Sequence, residues 1–236
     1  MSDMDEVARA TGEVAKASGK AIDASREAGE FLARFIQGPL KQLSGIAEDK
    51  LICIRWERQV RLMDKVNQII KDRGLTRPTR PVPLKIALPI MREGSQEEND
   101  NLQDRWAQLL VNAADTDSGV DVQPMYLGIL KDLSPQDVQV LDSIYCMIDP
   151  KEKGIVVEGS PNNFTIRLND PPTVAKVFTA DEKLLAQEMQ LTLSNLERLR
   201  LISLDRAWSG VTLFGVVQQT LLGREFVKAC SPRREG

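Results

Sequence analysis

Between Asn99 and Asp115 the sequence NDNLQDRWAQLLVNAAD leaves the backbone little choice. Leu102, Trp106, Leu109 and Ala113 fall at i, i+4, i+7 and i+11, a single apolar stripe on a helix of 3.6 residues per turn. Leu110 and Ala114 widen it, and Asp104, Arg105, Gln108 and Asn112 are expected to face away. Ser95 and Glu98 have capping-box spacing and predict the helix start. The run Asp115 to Gly119 stops it. A core helix of this kind needs partners on its apolar side, so the chain is expected to pack around it as a central strut. It separates a helical N-terminal half from a mixed C-terminal half.

Upstream, Val7, Ala10, Val14, Ala17, Ala21, Ala24, Ala28, Phe31 and Phe35 alternate spacings of three and four without a break. This is an a/d heptad seam in which alanine lets two helices approach closely. Its expected partner is the next helix of the same chain, in a helical hairpin. Self-association through Val7, Val14, Ala21, Ala28 and Phe35 is the alternative. Lys16, Lys20, Arg26, Glu27 and Glu30 argue against insertion in a bilayer and leave only peripheral membrane contact.

Gly38-Pro39 breaks that helix, and a second is expected from Pro39 to a C-capping Gly74. Its buried stripe reads Ile52, Trp56, Val60, Met63, Val66 and Ile70, while Arg55, Arg58, Arg61 and Lys65 form a basic face. From Lys50 to Arg92 there are about eleven basic and three acidic residues. Such a face suits nucleic acid, acidic protein or anionic lipid; internal pairing with Glu93, Glu97, Glu98, Asp100 and Asp104 is the structural alternative. Arg77-Pro78-Thr79-Arg80-Pro81-Val82-Pro83 is a stiff connector. A brief or broken helix is expected after it, because Pro89 interrupts Leu84 to Met91.

In the C-terminal half, Pro124 opens a short helix, and Ser134-Pro135 supplies an N-cap and first-turn proline for another. Ile155 to Val157 and Phe164 to Ile166 read as a strand pair. Pro171-Pro172 precedes a short apolar helix, Val174 to Phe178. Thr179 and Glu182 have capping-box spacing ahead of a helix through Leu184, Leu185, Leu193, Leu196 and Leu199. Leu201 to Leu204 and Val211 to Val217 are strands flanking a turn at Trp208-Ser209-Gly210, before a terminal helix with Phe226 and Val227. The fold class predicted is mainly α: an N-terminal helical hairpin or bundle, then a winged helix-turn-helix-like module with a small β-hairpin wing. The domains expected are 1–38, 39–122 and 123–236. Asn195, Arg198 and Arg200 mark the candidate recognition helix. Ser134 to Cys230 carries about ten basic and twelve acidic residues, which favours a docking module over a DNA reader.

Composition narrows the chemistry. The 236 residues include no histidine, which removes Ser-His-Asp and Cys-His catalysis and histidine metal ligation. Cys53, Cys146 and Cys230 stand far apart, without the spacing of a disulfide framework or zinc site. Asp100 and Asp104, at i, i+4 beside Arg105, read as a surface ion network rather than a metal pair. No enzyme activity, cofactor or metal is therefore expected. The net charge of −3, the acidic N-terminus and the lack of a long apolar run predict a cytoplasmic protein.

Four stretches together resemble the Abi-alpha, or abortive infection alpha, family of bacterial proteins: Arg80 to Lys85, Leu102 to Asp115, Ile129 to Asp137, and Leu196 through Gly223, Phe226 and Cys230. The resemblance covers most of the chain from about Lys50 onward. It implies a role in defence against phage and brings no catalytic residues. Two departures stand out. Arg200 lies where a glycine is expected, and Leu221-Leu222 where the pattern often carries a proline.

The function expected is a non-enzymatic interaction protein, a sensor, adaptor or effector. It would use helix-mediated assembly and a protein-docking module, with a protein partner for which a second copy of itself is one candidate. The alternatives are a nucleic-acid-binding regulator using Arg55 to Lys65 and the winged helix, and a membrane-acting effector using the N-terminal helix.

Overall fold

A computed structural model describes residues 26–36, 56–146, 154–160, 163–169, 186–206 and 212–232. Val7, Val14, Ala21, Arg55, the start at Pro39 and the strand turn at 208–210 lie outside them. So do the 174–178 helix and the Thr179–Glu182 capping box. The protein is mainly α and divides into two compact units, Met1–Leu127 and Gly128–Gly236.

The first unit contains α1 (26–36), α2 (Trp56–Asp72), α3 (Leu84–Gln96), α4 (Asp100–Ala114), a 3-10 turn (Thr116–Ser118) and the start of α5 (Met125–Lys131). The predicted strut is α4. Leu102, Trp106, Leu109 and Ala113 are all buried, and the burial goes further round the helix than the stripe requires. Arg105 and Asn112, expected to face away, are buried too, as is Gln103. For Gln103 and Asn112, tertiary hydrogen bonding accounts for this. Gln103 Nε2 donates to the carbonyls of Arg58 and Gly94, both at 3.1 Å, and Arg73 donates to Asn112 Oδ1 at 2.7 Å. The helix start also differs from expectation. Ser95 belongs to the last turn of α3, where its hydroxyl bonds back to the Met91 carbonyl, and Asn99 is the N-cap of α4, accepting from Leu102 N.

Gly94 shows why three helices can converge here. A Cβ at that position would lie 2.9 Å from Trp106 Cβ on α4 and 3.1 Å from Leu62 Cδ2 on α2. Despite Pro89, α3 is continuous over 13 residues. The proline-rich connector turns out to be the C-terminal cap of α4. Thr79 N and Arg80 N donate to the Ala114 carbonyl, and the Arg80 guanidinium donates to the carbonyls of Ala113, Asn112 and Val120. A fixed cation thus sits where helix carbonyls lack partners and the macrodipole is negative.

On α1, Ala28, Phe31, Leu32 and Phe35 are buried, and the Phe35 carbonyl accepts from Val82 N at 2.9 Å. The described part of the heptad seam, Ala28 and Phe35, is therefore used inside the chain.

The second unit holds α6 (Pro135–Cys146), β1 (Gly154–Ser160), β2 (Asn163–Asn169), α7 (Gln187–Arg198), β3 (Ile202–Arg206), β4 (Thr212–Gln219) and α8 (Leu221–Ala229). Ser134 caps α6 reciprocally with Asp137: each backbone N–H donates to the other's side chain, at 3.1 and 2.8 Å. The two expected hairpins form and also join. Ile155 pairs with Val217 and Val156 with Val216, giving one antiparallel sheet in the order β2-β1-β4-β3.

Candidate interaction surfaces

The basic face of α2 is brought against the acids that flank the α3–α4 junction. Arg58 donates to the Gln96 carbonyl at 3.1 Å and to Glu98 Oε1 at 2.6 Å. Arg61 Nη1 lies 3.1 Å from Asp100 Oδ1, and Nη2 donates to the Glu97 carbonyl at 3.2 Å. Lys65 pairs with Asp104 and lies 3.5 Å from Asp100. The partner carboxylates are well exposed, so each pair adds at most about 1 kcal/mol. Their larger effect is on the field: the three described cations meet carboxylates before they can meet a phosphate backbone.

Deeper in the same unit, Arg73 reaches Asp115, Asn112 and Gln108 at 3.1, 2.7 and 3.0 Å. Asp115 has only 2% of its side chain exposed, and its other oxygen accepts from Asp117 N. This knot fastens α2 to the end of α4. Nearby, an open cleft of about 750 Å³ is lined by Ala33, Arg34, Leu75, Arg77 and Pro78 among others, with no carboxylate or thiol among the described residues that line it.

On α7, Met189, Leu193 and Leu196 are buried and form the inner face. Glu188, Leu191 and Arg198 lie outside, and Leu191 is 65% exposed. Asn195 and Arg198 are turned to the α5–α6 junction. Asn195 Nδ2 donates to Asp137 Oδ2 at 2.9 Å and to the Asp132 carbonyl at 3.2 Å, and Arg198 Nη2 donates to Asp132 Oδ2 at 3.0 Å. Two of the three candidate recognition residues are thus engaged within the unit. The third, Arg200, ends the helix at φ 60° with an exposed side chain.

Sequence reasoning missed a further node. The buried Tyr145 hydroxyl donates to the Leu201 carbonyl at 2.5 Å and accepts from Thr220 N at 3.1 Å. Burial pushes its pKa above the usual value of 10.0, against the opposing pull of its bonds to Thr220 and of Arg224. The Thr220 hydroxyl lies 2.7 and 2.9 Å from the carbonyls of Arg200 and Leu201 and accepts from Gly223 N. A Cβ on Gly223 would collide with both Tyr145 Oη and the Leu201 carbonyl. The only local signal was the Thr-x-x-Gly spacing of a helix cap.

Among the described residues, no group of three Cys, Asp or Glu could hold a metal ion, and no helix is long and apolar enough to cross a membrane. The class defined is a mainly helical protein of two units, whose polar side chains largely hold helices to one another. More particularly, the chain belongs to the family described as Abortive infection alpha, whose model matches residues 57–230. That membership ties it to abortive infection, a form of bacterial defence against phage. No curated protein and no solved structure matches the chain.

Proposed function

We propose that this chain is a non-enzymatic interaction protein of phage defence that docks a partner protein through the outward face of α7. In this reading the second unit is a winged-helix-like module: α6, the β1–β2 hairpin, α7 and the β3–β4 hairpin follow in that order, with β4 beside β1 and β2 as an added outer strand. The observation that carries the proposal is the division of labour on α7. Asn195 and Arg198, which would read bases, are bound to Asp137 and Asp132, while Leu191 is left facing solvent beside Glu188. An exposed leucine next to a carboxylate suits a protein surface and repels phosphate.

The test is phage plating on cells carrying wild-type protein or Leu191→Asp. The substitution lies at an exposed position and should leave stability within about 0.5 kcal/mol. Loss of protection by a normally folded variant supports docking; full protection removes it. The competing nucleic-acid reading predicts instead that protection depends on Arg58, Arg61, Lys65 and Arg200 and that binding weakens steeply with salt. Helix-mediated assembly through Ala28 and Phe35 would require α1 to leave the core it occupies.

A further inference from the structure

The sheet of the second unit has two edges, and they are built differently. The β3 edge carries a register shift at Leu204/Asp205 and ends in the charged pair Asp205-Arg206, both devices that keep an edge from pairing with another chain. The β2 edge, Asn163-Phe164-Thr165-Ile166-Arg167-Leu168-Asn169, has neither. It pairs with β1 in unbroken register from Ser160↔Asn163 to Gly154↔Asn169, contains no proline, and has Arg167 as its one charge. Among the described residues no strand lies on its outer side.

We propose that this edge pairs with the same edge of a second copy, antiparallel about Ile166, to make a continuous sheet across a two-fold dimer. The sequence of β2 is chemically self-complementary in that register. Asn163 meets Asn169, Phe164 meets Leu168, Thr165 meets Arg167, and Ile166 meets its own counterpart. Backbone geometry selects the same register. Ser160 and Asn163 close the β1–β2 hairpin across two residues, so hydrogen-bonded pairs with β1 alternate from there. Phe164, Ile166 and Leu168 then direct their backbone N–H and C=O groups outward. Only pairing centred on Ile166 engages all three on both copies; a slip of two residues leaves one unpaired on each.

Charge agrees with this pairing. No like charges are directly opposed in this register, since each Arg167 falls opposite Thr165. A peptide from another protein would have no reason to match the strand's symmetry, so the second copy is the occupant. One strand pair buries less than a standard interface, so the dimer dissociates on dilution, with a Kd on the order of ten micromolar. The proposal does not rest on the docking reading of α7.

The test is sedimentation equilibrium of the full chain from about 1 to 200 µM, a range that brackets this Kd. Wild type should pass from monomer to dimer, Leu191→Asp should match it, and Ile166→Pro should lose roughly tenfold or more in affinity. Because the Ile166 N–H points away from β1, proline there spares the hairpin ladder. Oxidation supplies a second readout that needs no disruption of the strand. Ile166→Cys should form a symmetric intermolecular disulfide beyond the wild-type background, and Phe164→Cys, opposite Leu168, should not. A monomer at every concentration, an undiminished Ile166→Pro dimer, or equal cross-linking at 164 and 166 would overturn the proposal.

Discussion

Arg200 performs at the end of α7 the backbone task that Gly74 performs at the end of α2. Gly74 has φ 68°, and the bonds Gly74 N to Lys71 O and Leu75 N to Ile70 O close the helix. Arg200 has φ 60°, with Arg200 N bonded to Glu197 O and Leu201 N to Leu196 O in the same paired pattern. A residue with a Cβ is disfavoured there by about 1–2 kcal/mol, while glycine costs more entropy on folding. Arg200→Gly should therefore stabilise the second unit by about 0.5–1 kcal/mol, a rise of about 2–4 °C in its melting transition. Scanning calorimetry of the two proteins checks this, and a fall in melting temperature would count against the cap geometry.

Gly223→Ala should be among the most damaging small substitutions in the second unit. The new methyl group would meet a hydroxyl and a backbone carbonyl that hold each other in place, so a loss of about 3 kcal/mol or more is expected. Tyr145→Phe should cost about 1–3 kcal/mol, because it leaves buried bonds to Leu201 and Thr220 unmade. The tyrosine also gives stability a pH signature. Its folded pKa is raised, so its contribution is intact below pH 10 and falls as pH climbs from there through the raised value. Urea titrations above and below pH 10 should show that loss in wild type and less of it in Tyr145→Phe.

Arg73→Met should destabilise the first unit by about 3–5 kcal/mol, since it strands a nearly fully buried Asp115 carboxylate. Replacing both members, Arg73→Met with Asp115→Asn, should recover much of that loss. Denaturant unfolding of the two variants tests the knot. Equal destabilisation by the single and the double variant would argue that Asp115 does not depend on Arg73.

The α2 cations should become available only when their partners are removed. Wild type is expected to elute from a heparin column at low salt, and Glu98→Gln/Asp100→Asn/Asp104→Asn at distinctly higher salt. Stability should change by no more than about 1 kcal/mol per pair. Tight retention of wild type would favour the nucleic-acid reading instead.

Local signals were legible in proportion to how local their causes were. The α4 stripe, the Ser134 cap with Pro135 and the Gly74 stop are fixed by side chains within a few residues of the backbone they act on. Ser95 and Glu98 had the right spacing for a cap but the wrong neighbourhood, because α3 continues through Ser95 and Asn99 does the capping. The burial of Arg105 and Asn112 was not legible, since residues facing α4 lie tens of positions away along the chain, as Arg73 does from Asn112. For the same reason the basic residues of α2 and α7 could be found in the sequence, and the acids that occupy them only paired with them once folded.

The docking surface can be tested most directly by photo-cross-linking. A benzophenone amino acid placed at position 191, in cells challenged with a phage that the protein restricts, should yield a discrete protein adduct. The same group at exposed position 64 on α2 should yield less. Adducts to nucleic acid, or protection retained with no adduct from position 191, would contradict a protein partner on the outer face of α7.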